Sequence, residues 1–266
     1  MFELQQPFHG DLVEHVYAAA ARHGYEVILS AVAPTRSERD ALASLRQDRC
    51  EATILLGSRL SVTELADLSA RGPTVVVARR VDTPGVISVR ADDTAGIELA
   101  VDHLVGLGHR VVAFVDGDGV PGSEDRSIGF SHSMSRLGLA SGGRVVHGGL
   151  SEDDGARAVR TLLDDAPHRT PPTAIIAFND RCATGLVSAL LAQGLSVPHD
   201  ISVMGYDDSR VAGLDHVDLT TVSQDAPALA EAAVAAAVAA ARGERPSSTV
   251  WEPTLALRSS TAPPPG

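Results

Sequence analysis

The sequence predicts an α/β protein of the doubly wound kind, and three observations carry that expectation. Short apolar runs suited to strands buried on both faces recur along the chain: TILLG (53–57), TVVVA (74–78), AIIAF (174–178) and ISVMG (201–205). Amphipathic stretches of helical spacing alternate with them and carry start and stop signals. Polar or Gly-containing clusters follow the strand runs at once, as at Gly57-Ser58, Arg79-Arg80, Gly117, Asn179-Asp180 and Tyr206-Asp207.

The unit PTAIIAFNDRCATGLVSALLAQGLSVPHDISVMGYDD (172–208) organises the rest. Its helix sets Ala183, Leu186, Val187, Leu190 and Leu191 on one face, with Asp180 placed to cap it and Gly194 and Pro198 to end it. A strand, helix, strand crossover of this kind joins parallel neighbours. Open parallel sheets bind ligands beyond the carboxyl ends of their strands. That rule puts Asn179, Asp180, Tyr206, Asp207 and Asp208 where a ligand would be met.

The other elements keep the rhythm. Asp11 to His23 reads as a helix with Leu12, Val13, Val16, Tyr17 and Ala20 on one face; Gly24 follows it, and the strand YEVILS (25–30) comes next. A helix over 36–48 precedes TILLG, and the capping box Ser61-Val-Thr-Glu64 opens a third helix that ends near Gly72. After TVVVA and VISV (86–89), Asp92-Asp93 starts a helix over 94–107, closed by Gly108 before RVVAFVDG (110–117). A helix near 124–137, the strand RVVH (144–147) and a helix over 153–164 lead to the central unit. In the tail, LTTVSQD (219–225) is a short extended piece, and Asp225 with Pro227 opens an Ala-rich helix over 226–241. STVWEP and TLALRSS give the last two strands, and TAPPPG reads as a loose end.

A chain of 266 residues, 44% apolar, can build one large or two modest cores. A formal charge of −12 and a pI near 5.2 argue against nucleic-acid or anionic-membrane binding by this chain itself, since either needs a basic surface. Cys50 and Cys182 are far apart and lack CxxC spacing, which suggests neither a disulfide framework nor a zinc site. Reduced thiols and a cytoplasmic location follow. The N-terminus has no basic-then-apolar leader, and no stretch is long and apolar enough for a bilayer. Neither a metal nor a cofactor is expected.

Two arginines carry the more specific chemistry. Arg79 directly follows VVVA and Arg126 lies in a loop-to-helix segment, and a guanidinium offers a fixed fork of donors for vicinal hydroxyls or a carboxylate. With Asn and Asp opposite, donors and acceptors together suit a polyhydroxylated small molecule such as a sugar. The plainer alternatives are that either Arg pairs with a surface acid and that Asp180 only caps its helix. His9, after Pro7-Phe8, lines a cleft or sits on the surface. Cys182 reads as packing rather than as a nucleophile. A literal GxGxxG occurs at 117–122, but the next strand ends in His147-Gly148-Gly149 instead of an acid, and Pro121 removes a backbone donor. It reads as a chance Gly-rich loop. GxxxxGK[ST], GxSxG and HExxH do not occur, and a hydrolase built from Ser123, Asp207 and a histidine has no local motif behind it.

Seven pieces in register over about 7–261 carry a resemblance: Val89-x-x-Asp92 with Gly96, HLVGLGHR (103–110), Ser123-x-x-Arg126-x-x-Gly129-Phe130, PTAIIAFND with Ala183, VPHDISVMGYDD, LTTVSQD and TLALRSST. In these the chain resembles the effector-binding core of a lac-repressor-type (LacI/GalR) transcriptional regulator. The resemblance implies a periplasmic-binding-protein-like fold (type I) of two Rossmann-like subdomains with parallel sheets, joined by three crossing strands, with the effector between them. The crossings are expected near 90–92, 222–224 and 251–253. One subdomain then comprises 1–91 with 224–251 and the other 92–223 with 252–266. By the family's motifs Arg126, Asn179, Asp207 and Gln224 contact the effector; Phe8, His9 and Arg79 are added from topology and position.

The resemblance further implies a homodimer whose subdomains reorient on binding and so control DNA-reading headpieces. The family's N-terminal helix-turn-helix has no counterpart in this sequence, so DNA is expected as a partner only through such a headpiece. Only Met1 to Leu4 precede the expected Pro7-Phe8 loop, a shortened first strand, and Asp93 stands where the family more often has Asn. Two other functions share this architecture. A solute-binding protein of an importer would carry a leader, and an NAD-dependent or hydrolytic enzyme would carry one of the motifs sought above.

Overall fold

The computed structural model describes residues 2–164 and 170–265. Met1 and Gly266, which belong to the expected first strand and loose tail, lie outside them. In chain order the elements are β1 (Phe2–Glu3), α1 (Pro7–His23), β2 (Ala31–Val32), α2 (Glu38–Gln47), β3 (Thr53–Leu56), α3 (Val62–Ser69), β4 (Thr74–Val77) and β5 (Val86–Ala91). Then come α4 (Asp93–Gly106), β6 (Val112–Val115), α5 (Ser123–Arg136), β7 (Gly143–Val146), α6 (Glu152–Asp164), β8 (Ala174–Ala177), α7 (Asp180–Ala192) and β9 (Ser202–Asp207). The chain ends with β10 (Thr221–Ser223), α8 (Ala226–Ala241), β11 (Thr249–Trp251) and β12 (Thr254–Ala256). It divides into two compact units, Met1–Ala91 with Asp225–Trp251 and Asp92–Gln224 with Glu252–Gly266, so the backbone passes from one to the other three times.

In the first unit four parallel strands run in the order β11-β5-β4-β3. The alternation of a pleated strand sorts their side chains between two layers. Val75 and Val77 point into a core with Leu12, Val16 and Ala20 of α1 and Leu229, Ala233 and Val234 of α8. Val76 points the other way, among Ala41 and Leu45 of α2 and Leu65 and Leu68 of α3. The all-apolar character of TVVVA therefore reflects burial on both faces.

Two local expectations for this unit are corrected. Helix α1 begins at Pro7 rather than at Asp11: Gln6 is extended (φ −94°, ψ 113°) and Pro7 occupies the first turn, where its fixed φ suits a helix and its missing N–H costs nothing. Phe8 and His9 thus sit in a helix, not in a loop. YEVILS is not a strand either. Only Ala31–Val32 just beyond it is one, paired in parallel with Phe2–Glu3. Among the described residues the backbone of 26–29 makes no hydrogen bond, and Ile28 and Leu29 are 48% and 40% exposed. β-branched and apolar residues give a strand its propensity, but a ladder needs a neighbour for each N–H and C=O. With Val13, Val16, Ile54 and Val234, this segment lines a cavity of about 300 Å³ within the unit.

The second unit holds a six-stranded sheet in the order β12-β10-β9-β8-β6-β7, parallel except for β12. Ala113, Val115, Ile175, Ala177 and Val203 face α6 and α7. Their alternates Val112, Phe114, Ala174, Ile176 and Met204 face Ile97, Val101 and Leu104 of α4 and Phe130 and Met134 of α5. Helices α6 and α7 meet backbone to backbone at two glycines. A Cβ on Gly155 would run into the carbonyl of Cys182, and one on Gly185 into the carbonyl of Glu152. Gly185→Ala is expected to lower unfolding stability by about 1–3 kcal/mol through this overpacking. The urea midpoint of the variant measures it, and an unchanged midpoint would mean that the helices can part at no cost.

Candidate functional site

In the second unit the parallel strands lie in the order β7-β6-β8-β9-β10, so the chain leaves β6 toward one edge of the sheet and β8 toward the other. The loops beyond these two strands therefore diverge, which opens a crevice at their carboxyl ends. Arg126 enters it from the first turn of α5, and Phe178 and Asn179 come from the end of β8. Tyr206 and Asp207 come from the end of β9, and Gln224 follows β10.

Arg126 is 5% exposed and its side chain is fixed from four directions. Nε donates to Asp93 Oδ1 at 2.8 Å and Nη1 to the carbonyl of Phe178 at 2.5 Å. Its Cζ lies 3.5 Å from the centre of the Tyr206 ring and 4.4 Å from that of Phe178. Burial alone would lower the guanidinium's pKa, but Asp93, with Tyr206 and Asp207, outweighs it, so the pKa is raised and Arg126 stays charged. Asp93, itself 5% exposed, is the partner that the sequence reading left out of the site. Asp92 caps α4 through Thr94 N and Ala95 N, so the Asp93 carboxylate takes no part in the cap.

Asn179 rather than Asp180 caps α7: Asn179 is extended and accepts from Cys182 N at 2.8 Å. Asp180, 1% exposed, instead turns inward and accepts from Ser209 N at 2.7 Å, Ser209 Oγ at 2.8 Å and Thr221 Oγ1 at 2.5 Å. It thereby ties the start of α7 to the loop after β9 and to β10. Burial pushes its pKa up to about 7 despite those donors. Asp207 accepts from Gln224 Nε2 at 2.7 Å, with its backbone at φ 116°. Burial also holds its carboxyl well above the usual range, against the pull of Arg126. Arg126, Asn179, Asp207 and Gln224 are thus gathered at one end of one sheet.

The residues added from position belong to the first unit. Phe8 is 4% exposed and packed in the core of α1, α8 and the sheet. His9 lies against Gly57 at the end of β3, where a Cβ would come within 2.7 Å of its Nε2. Arg79 follows β4 and donates from Nη1 to the carbonyls of Ser58 (2.8 Å) and Leu60 (2.6 Å), which fixes the loop after β3. Among the described residues no group of His, Cys, Asp and Glu could hold a metal ion, and no helix is long and apolar enough to cross a membrane. Burial pushes the Cys182 thiol up to about 12, so it packs and does not react. In the Gly-rich loop, Gly117 makes room for the Phe178 ring and Gly122 for the Asp93 carboxylate, which accounts for both glycines without a phosphate.

The pattern of the periplasmic binding protein-like domain matches residues 101–261. The chain is 32% identical to the HTH-type transcriptional regulator MalR of Streptomyces coelicolor over 99% of its own length and 80% of that protein's. It belongs to the lac-repressor-type (LacI/GalR) family of transcriptional regulators. A crystal structure of a LacI transcriptional regulator from a Rhodococcus species is 55% identical with a TM-score of 0.96, covering 98% of this chain and 97% of that one. A LacI family regulator from Enterococcus faecium, with bound ribose, has a TM-score of 0.86 at 24% identity, over 98% of each chain.

Several motif residues shared with the LacI family serve the scaffold. Gly96 of α4 leaves the space that the Tyr206 hydroxyl fills, and Gly129 lets α5 approach Ile97 and Thr94. His109 joins Thr173 Oγ1 at 2.8 Å to the carbonyl of Ala262 at 2.9 Å. Ser260 donates to the carbonyl of Val203 at 2.6 Å and accepts from Thr220 N at 2.8 Å.

The raised pKa of Asp180 has a definite sign. Its native state binds a proton more readily than the unfolded chain, so it adds stability below the ordinary Asp range and loses it as pH rises toward about 7. His103 and His109, whose pKa values burial lowers, act in the opposite sense, so the comparison must be between parent and variant. Between pH 5 and pH 8 the parent is expected to lose on the order of 2 kcal/mol more than Asp180→Asn. Urea unfolding of both at the two pH values checks it.

Proposed function

We propose that this chain is the effector-sensing core of its regulator, that it binds a small polar ligand, a sugar, and that binding changes the geometry of a homodimer to control DNA binding in the cytoplasm. One observation carries the ligand reading: Arg126, Asp93, Asn179, Asp207 and Gln224 converge at the switch point of the second sheet, mixing donors with acceptors. A hydroxyl both gives and accepts a hydrogen bond, so a polyol satisfies such a set where an apolar ligand would leave it unpaired. The ribose held by the Enterococcus faecium regulator agrees with that chemistry. On this reading Phe8, His9 and Arg79 of the first unit also contact the ligand.

The dimer and the headpiece supply the output. A ligand shifts subdomain orientation only by as much as it binds one arrangement better than the other. A solute-binding protein of an importer is the second reading; the regulator signatures around His109 and in LTTVSQD favour the first.

A thermal-shift screen of mono- and disaccharides, nucleosides and NAD(P) tests the ligand. Ligand at a hundred times its dissociation constant adds about 2.7 kcal/mol to the folded state, enough for a clear rise in melting temperature. One sugar class should raise it, and the rise should vanish in Gln224→Ala, which removes the donor to Asp207. A rise only with NAD(P) would replace the sensor reading with an enzyme.

A further inference from the structure

The charge balance around Arg126 carries the ligand reading one step further. An arginine in a binding crevice ordinarily invites an anion, through a bidentate pair with a carboxylate or phosphate. Here that charge is already answered within the fold, because Asp93 Oδ1 accepts from Nε at 2.8 Å and both residues are only 5% exposed. Nη1 is committed to the Phe178 carbonyl, and the guanidinium lies against the rings of Tyr206 and Phe178. Of the other ionisable groups, Tyr206 and the Asp207 carboxyl of β9 act on Arg126; the nearby cations Arg181 and Arg258 are paired with Glu152 and Asp208.

What the pair still offers is one donor edge and one acceptor. Among the described residues neither Nη2 of Arg126 nor Oδ2 of Asp93 has a hydrogen-bond partner, and neither is among the atoms sealed from solvent. Gly122, in the loop before α5, keeps free the space beside the carboxylate that a Cβ 3.2 Å from Oδ2 would take. A hydroxyl can accept from Nη2 and donate to Oδ2. A phosphate or carboxylate oxygen can only accept, meets no uncompensated positive charge, and is repelled by Oδ2.

We propose that Asp93 is a specificity-determining residue: by neutralising Arg126 inside the fold it makes the site take an uncharged polyhydroxy ligand and refuse the phosphorylated or acidic counterpart. This rests on the sugar-sensing reading above, and the test separates the two. Asp93→Asn keeps the shape and a hydrogen-bonding carbonyl but removes the charge, which leaves Arg126 as a buried cation in want of an anion.

The probe is inorganic phosphate, exchanged for chloride at constant ionic strength, with melting temperature as the readout for the parent and for Asp93→Asn. Phosphate strengthens folding generally, so the difference between the two proteins decides. The variant should gain ~3 °C or more over the parent's change. An equal change in both, or a parent already stabilised beyond what an Arg126→Gln chain shows, overturns the proposal. If Asp93→Asn does not fold, matched pairs on the parent decide: glucose with glucose 6-phosphate, ribose with ribose 5-phosphate, galactose with galacturonate. A shift with a neutral member and none with its charged partner supports the proposal, and a larger shift with the charged member overturns it. A phosphate response confined to Asp93→Asn with no sugar shift in the parent would sustain the charge argument and sink the sugar reading.

Discussion

The guanidinium of Arg126 is buried against the rings of Phe178 and Tyr206, and a charge so placed is tolerable only when it is answered on the spot. The answer comes from Asp93, one residue into the helix before β6, and from a carbonyl at the end of β8. The pair therefore joins α4, α5, β8 and β9, the elements that border the crevice of the second unit. Its consequences spread outward. Tyr206 needs Gly96 to make room for its hydroxyl, Phe178 needs Gly117, and the Asp93 carboxylate needs Gly122. A site built around a neutralised cation is also polar without being electropositive, which is why an acidic chain can hold it.

Much of the fold was legible because burial on two faces leaves a plain mark: TILL, TVVV, AIIA and SVMG are strands almost to the residue, and the Ala-rich helix covers 226–241 as its cap and Pro227 announced. The two failures have different causes. YEVILS has the propensity of a strand, but pairing depends on a neighbour elsewhere in the chain. The start of α1 was misplaced although Pro7 carried the signal for a first helical turn.

The site was half legible. Polar residues beyond strand ends pointed to Asn179 and Asp207, and motif register pointed to Arg126 and Gln224. Nothing local marks Asp93 as the partner of a residue 33 positions away, since only the packing of α4 on α5 brings them together. Asn179 and Asp180 exchanged their expected roles: the neutral side chain caps the helix and the charged one goes inside. Composition likewise misleads about the motifs shared with the lac-repressor-type family. Histidine, serine and glycine look like chemistry, yet His109, Ser260 and Gly129 are bolts and clearances of the scaffold. Family register and ligand contact are different properties, and geometry tells them apart.

The coupling of Arg126 to Asp93 holds the site together, and a double-mutant cycle measures it directly. Unfolding free energies of the parent, Arg126→Met, Asp93→Leu and the double variant would be taken from urea titrations at neutral pH. Each single change strands a buried charge and should cost ~3–5 kcal/mol, whereas the double change strands none and should cost at least ~1.5 kcal/mol less than the sum of the singles. Additive costs would mean that the two side chains do not answer each other, and that the site has no such centre.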